Sequence, residues 1–233
     1  MLEKSVIQEI ESLPLADAIR KLSSFFEEGT VVFSSSLGQE DQVLTDCIFK
    51  NNLPVKIFTI DTGRLFNETY ELLEKTTARY KSTIDLYFPD AAPVEQFVRE
   101  KGINAFYESV ENRKECCYLR KVIPLNRALK GANVWITGLR AQQSGNRHNM
   151  PMIEWMDDRK MYKFNPLIRW SYEEMLHYLN ENQVPYNLLH DKGFISIGCA
   201  PCTRAVHPGE DARAGRWWWE SSQKECGLHT VGR

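Results

Sequence analysis

Thr30-Val31-Val32-Phe33-Ser34-Ser35-Ser36-Leu37-Gly38-Gln39 is the stretch on which the fold turns. Thr30 to Phe33 is β-branched and aromatic, the composition of a buried strand. It stops in a cluster of serines and a glycine, after which helical spacing resumes at Val43, Leu44, Cys47 and Ile48. A strand that runs through a small polar loop into a helix opens a βα unit. Ser34, Ser35, Ser36, Gly38 and Gln39 then offer hydroxyls, backbone N–H groups and the positive end of a helix to a phosphate or sulfate. The loop lacks the Gly-Lys-Ser/Thr of a Walker A motif, and a Ser/Gly cluster taken alone is equally a turn.

The pattern repeats on either side. Val55 to Ile60 reads as a strand ending at Asp61-Thr62-Gly63, Ile84 to Phe88 as another, and Val134 to Thr137 as a fourth that ends at Gly138-Leu139-Arg140. Helices are expected over Asn67 to Tyr80, Pro93 to Lys101 with Gly102 as its stop, and Cys117 to Lys130 ending at Gly131. Met161 to Phe164 adds a short β element, and Ser171-Tyr172-Glu173-Glu174 is a capping box opening a helix to about Asn182. Two N-terminal helices flank Pro14. Strands alternating with helices predict an α/β fold, a mostly parallel sheet with helices on both faces. Three segments follow: helical residues 1–28, an α/β body over 29–208, and a tail over 209–233 that is expected to be mobile.

Composition narrows the function. Over 233 residues the formal net charge is −2, so no global basic field draws nucleic acid or anionic lipid, and any anion site must be local. No apolar run approaches the ~18 residues that span a bilayer, and Met1-Leu2-Glu3-Lys4 does not open a signal peptide. A cytoplasmic protein, without membrane or nucleic-acid partners, is the expectation; a homo-oligomer is compatible with the sequence.

Six cysteines in such a protein are read as ligands or catalysts before disulfides. Cys116 and Cys117 are adjacent, Cys199 and Cys202 form C-x-x-C, and Cys47 lies in an apolar helical stripe. Four thiolates suit an iron–sulfur cluster. Structural zinc fits C-x-x-C equally well, and spacing alone does not separate the two. Side chains of a tandem diverge by about 100° on a helix, so they converge only at an irregular position. The mouth of the helix carrying Val122, Leu125 and Leu129 is such a place, and its positive end would help keep thiolates deprotonated. Arg113, Lys114, Arg120, Lys121 and Arg204 surround the ligands in sequence.

Asp61-Thr62-Gly63 and Gly138 to Ser144, with Arg140, lie where a parallel sheet binds ligands, beyond the carboxyl ends of strands. Asp61 suits ribose hydroxyls or an adenine edge, and Arg140 an anion. Cys226 is alone near the end, beside Gly227 and between Lys224 and His229, whose charges would raise its thiolate fraction. It is either a travelling nucleophile or an inert tail thiol. Arg213 and Arg216 precede Trp217-Trp218-Trp219, and three consecutive tryptophans cannot share one face.

Taken together, Cys116-Cys117-Tyr118-Leu119-Arg120-Lys121, Gly198-Cys199-Ala200-Pro201-Cys202-Thr203-Arg204 and Glu225-Cys226-Gly227-Leu228-His229 resemble the thioredoxin-dependent adenylylsulfate reductases of bacterial sulfate assimilation. The resemblance runs from about residue 30 to the C-terminus. It implies the adenine-nucleotide hydrolase-like fold, with residues 34–39 as a degenerate phosphate loop. It further implies one 4Fe–4S cluster on Cys116, Cys117, Cys199 and Cys202, Lys121 bridging cluster and substrate, and Cys226 as nucleophile. Thioredoxin, or glutaredoxin, would be the reductant. Rival readings are a reductase of the 3′-phosphorylated substrate or of both substrates, a non-catalytic iron–sulfur or zinc redox protein, and an ATP pyrophosphatase. Members of the first group typically lack the tandem and C-x-x-C cysteines present here.

Overall fold

Alternating strands and helices are what the computed structural model contains; it describes residues 1–143, 147 and 149–220. Helices α1 (Lys4–Ser12) and α2 (Leu15–Ser23) precede β1 (Val31–Ser35), α3 (Gln39–Lys50), β2 (Lys56–Ile60), α4 (Asn67–Tyr80) and β3 (Asp85–Tyr87). Then come α5 (Ala91–Lys101), α6 (Val110–Cys117), a π-helical turn (Tyr118–Val122) and α7 (Ile123–Ala128). β4 (Val134–Ile136), β5 (Ile153–Met156), β6 (Met161–Phe164) and α8 (Tyr172–Glu181) complete the regular elements. The sheet order is β3-β2-β1-β4-β6-β5. β1 pairs in parallel with β2 and β4, β4 with β6, and β5 runs antiparallel to β6.

The chain divides into two units. The first comprises Met1–Thr59, Glu71–Asp85 and Gly131–Asn187. Its central strands are unbroken apolar runs, Val31-Val32-Phe33 and Val134-Trp135-Ile136, all buried, as strands covered on both faces require. Ile10, Ile19 and Leu22 of the amphipathic α1 and α2 are sealed in the same core, together with Cys47. The strand order reverses between β1 and β4, which makes their carboxyl ends the topological switch point.

β5 was not expected. Ile153-Glu154-Trp155-Met156 is held by partners rather than by its own pattern: Lys163 lies opposite Glu154 in the β5–β6 pair and its ammonium reaches that carboxylate at 3.2 Å. Lys163 is 1% exposed, a charge that survives in a strand because Glu154 pairs with it and the Trp135 ring lies 5.9 Å away.

The second unit comprises Ile60–Tyr70, Leu86–Lys130 and Leu188 onward. Past Leu188 its described regular structure is reduced to 3₁₀ turns, His190–Lys192 and Ala200–Cys202. Its small core gathers Phe106, Cys199, Cys202 and Trp217, with Cys116, Cys117 and Trp219 against it. Thiols and aromatic rings stand here where aliphatic residues usually would. Among the described residues, no helix is long and apolar enough to cross a membrane.

Candidate functional site

In the first unit the candidate anion loop is shorter than its sequence suggests. Ser34 and Ser35 are the last residues of β1, and only Ser36, Leu37 and Gly38 link it to α3. The Ser34 hydroxyl accepts from the Trp135 indole N–H at 2.8 Å. Leu37 is left-handed, at φ 60°. The backbone N–H groups of Ser36 and Leu37 are already engaged. Asp41, in the first turn of α3, accepts from the Ser36 N–H at 2.5 Å and the Ser36 hydroxyl at 2.6 Å. The Leu37 N–H donates to the Ser35 hydroxyl at 3.1 Å.

Arg140 is likewise committed. Its guanidinium meets Glu40 Oε1 through Nε at 2.9 Å and Nη2 at 2.8 Å, and lies 5.5 Å from the Tyr172 ring. Gly138 is obligatory: a Cβ there would overlap the Asp41 carboxylate. The role of Asp41 and Glu40 escaped the sequence reading because acids in a helix's first turn are ordinary complements of its dipole.

Burial raises the Asp41 carboxyl from 3.8 to about 6, against the opposing Ser36 hydrogen bonds. Since the folded value exceeds the unfolded one, this group favours folding below about pH 4 and loses that contribution as pH rises through 6. Roughly two pKa units at about 1.4 kcal/mol each amount to about 3 kcal/mol. Asp41→Asn retains an acceptor oxygen. It is expected to raise stability by up to about 3 kcal/mol at pH 8 and to change little at pH 4. Denaturant unfolding at both pH values measures this, and an equal effect at the two would contradict it.

In the second unit, Cys116, Cys117, Cys199 and Cys202 line one cavity, partly open to solvent, with Arg64, Phe106, Arg113, Arg120 and Lys121 around it. The tandem does not occupy the mouth of a helix. Cys116 and Cys117 end α6, at its carboxyl end, and the chain continues without a break into the π-helical turn. The convergence thus comes from helical irregularity. The positive charge comes from side chains, with no helix dipole to supply it. Among the described residues, no group of three or more His, Cys, Asp or Glu side chains is arranged to hold a metal ion.

The four thiols are unequal. Burial pushes Cys199 up, yet Lys121, the Thr62 hydroxyl at 3.2 Å, Arg216 and Arg120 outweigh it and hold this thiol below its ordinary range. Burial, with the neighbouring Cys199 and Cys117, pushes Cys202 up to about 12. Burial also raises Cys116, opposed by Arg120. Four cysteines beside Arg64, Arg120 and Lys121 are a donor set that fits iron–sulfur ligation.

Beside the cavity, Trp217 lies 4.7 Å from the Arg113 guanidinium and 4.8 Å from that of Arg216. Arg113 forms a fork with Glu220 at 2.9 and 2.8 Å, both side chains at most 5% exposed. Arg216 packs where Gly198 has no side chain; a Cβ there would come within 2.5 Å of its Nη2. Trp217 is buried and Trp218 half exposed, so the tryptophans divide between core and surface.

Other candidates fall as follows. Asp61 accepts from the Gly63 N–H at 2.7 Å and the Tyr70 hydroxyl at 2.9 Å, so the 61–63 loop closes on itself, and Thr62 faces Cys199. Arg204 pairs with Glu210 at 2.8 Å, and Lys114 is exposed. Gln39 is buried, and Arg213 is half-buried with its N–H on Asp211 at 2.8 Å. Cys226, His229 and Ser144 lie outside the described residues. Phe106 and the Arg113–Glu220 fork were not foreseen as parts of the site.

Residues 30–205 match the phosphoadenosine phosphosulfate reductase domain. A protein of Sinorhizobium fredii named adenosine 5′-phosphosulfate reductase is 48% identical over 98% of this chain and 90% of its own length. One of the same name from Allochromatium vinosum is 49% identical over 92% and 84%. Among solved structures, the phosphoadenylyl-sulfate reductase of Candida auris superposes with a TM-score of 0.73 at 30% identity, covering 88% of this chain and 98% of that one. The Candida glabrata FMN adenylyltransferase shares the fold, with a TM-score of 0.56 at 17% identity.

Proposed function

The chain belongs to the phosphoadenosine phosphosulfate reductase domain family and reduces adenosine 5′-phosphosulfate; we propose that it does so through a cysteine S-sulfonate on Cys226, with an iron–sulfur cluster on Cys116, Cys117, Cys199 and Cys202. The observation that carries the second half is the four-cysteine cavity. A cavity lined by four cysteines offers the four thiolate ligands that a 4Fe–4S cluster takes.

Sulfate resists nucleophilic attack at sulfur because it lacks a leaving group, and adenylylation supplies AMP. The Cys226 thiolate attacks the sulfur, the bond from sulfur to the phosphate oxygen breaks, and AMP departs, leaving Cys226–S–SO₃⁻. Lys121 and Arg216 bring positive charge to the neighbourhood of Cys199, and with Arg213 they would offset charge developing on the phosphate and sulfate. A thioredoxin or glutaredoxin thiolate then attacks the Cys226 sulfur and releases sulfite. Its second cysteine resolves the mixed disulfide and returns Cys226 as thiolate. Sulfur gains two electrons, and the donor's two thiols lose two. When bound, the cluster supplies a fixed electrostatic and structural centre, since thiols provide both electrons.

The test is a single turnover without reductant. One AMP per chain should appear, with one SO₃ group on the peptide containing Cys226. AMP release with an unmodified Cys226 would overturn the mechanism. Reduction of the 3′-phosphorylated substrate is the second reading, favoured by the Candida auris likeness.

A further inference from the structure

The chain beyond the C-x-x-C turn is stitched back onto it. Thr203 and Arg216 form an antiparallel bridge, the Arg204 N–H donates to the Gly215 carbonyl at 3.0 Å, and the Trp217 N–H donates to the Cys202 carbonyl at 3.1 Å. A Cβ on Gly215 would collide with the Arg204 carbonyl, so the two segments approach as closely as glycine permits. Trp217 is buried against Arg113, and Trp219 packs edge-on to Tyr107 at 4.4 Å. Glu220 closes this strap. Its fork onto Arg113 leaves both side chains at most 5% exposed. Arg113 lies three positions before Cys116 on α6, hence on the same face. One ion pair thus joins the helix that ends in two cavity cysteines to the base of the segment bearing Cys226.

A buried ion pair is weak evidence for stability, because apolar residues of similar volume commonly serve as well. What it supplies is a single register. Cys226 stands six positions beyond Glu220, a length that spans at most about 20 Å. We propose that Arg113 and Glu220 are positioning residues for the reduction: their fork fixes the point and direction from which the chain carries Cys226 to the sulfur of the nucleotide. The proposal rests on the reading of Cys226 as the nucleophile. Tether length alone decides little. Freeing the chain back to Trp217 lengthens it from six positions to nine, which lowers the effective concentration by less than about twofold on the −3/2 power law. Direction weighs more, since a misplacement of about 1 Å caused by a change remote from the chemistry can cost about a hundredfold.

The experiment is a single turnover of adenosine 5′-phosphosulfate by the anaerobically purified full chain without reductant, as wild type, Glu220→Gln, and the apolar pair Arg113→Met with Glu220→Leu. AMP formation at saturating substrate should fall at least about tenfold in both variants. AMP affinity by calorimetry, and thioredoxin-driven sulfite release from the isolated S-sulfonate, should stay within about threefold of wild type, because neither requires Cys226 to find the nucleotide. The apolar pair leaves no unpaired buried charge, so it carries the test if Glu220→Gln unfolds. AMP formation within about threefold of wild type in the apolar pair would overturn the proposal. So would a loss of AMP affinity in step with the rate, or of cooperative unfolding in both variants, either of which makes the fork a structural strut. Absence of an SO₃ group on Cys226 in the wild type would instead overturn the reading of Cys226.

Discussion

Cys226→Ser is expected to abolish sulfite release, by on the order of 10⁴-fold or more, while the visible absorbance of the protein stays unchanged. The serine hydroxyl keeps the shape of the side chain but is a far weaker nucleophile, and it cannot leave as a thiolate when the reductant attacks. The division is sharp because Cys226 stands apart from the cavity cysteines in sequence, 24 positions beyond Cys202. A non-catalytic redox protein would tolerate this substitution. Full activity in the variant would therefore sink the S-sulfonate mechanism whatever the metal content proves to be.

The second large effect is on the metal. Cys199→Ser should reduce iron from about four per chain to near zero and leave the protein colourless after anaerobic purification. Cys199 is the informative choice because it is the thiol that Lys121, Thr62, Arg216 and Arg120 hold below its ordinary range against its burial. The same substitution should loosen the second unit, whose core is built from Phe106, Cys199, Cys202 and Trp217. Metal affinity and folding free energy are one quantity in such a core. Hydrogen exchange should therefore rise over α6 and the Ala200–Cys202 turn while β1 and β4 stay protected. Stoichiometric zinc in the wild type would refute the cluster.

Much of this was legible before the fold was known, for physical reasons that differ by element. α4 runs from Asn67 to Tyr80 as its periodicity indicates, and α8 follows the Ser171 capping box, with Ser171 accepting from the Glu174 N–H at 3.0 Å. Local signals suffice where an element is stabilised locally. β5 depends on Lys163, and Glu154 is no more strand-like than its neighbours. The tandem cysteines were placed at the wrong end of a helix, since nothing in Arg113-Lys114-Glu115 announces that α6 begins at Val110. Arg113 and Glu220 stand 107 positions apart, a pairing no local pattern encodes. The serines show the limit most plainly. Composition offered a candidate anion loop, but only the coordinates reveal that Asp41 takes the Ser36 N–H and hydroxyl.

The most direct test of the account compares sulfite production from adenosine 5′-phosphosulfate and from its 3′-phosphorylated form, using the anaerobically purified chain with thioredoxin as the sole reductant. The account predicts turnover of the first, with kcat/KM at least about a hundredfold above the second. Sulfite from the 3′-phosphorylated form alone, or none from adenosine 5′-phosphosulfate with thioredoxin present, would contradict it.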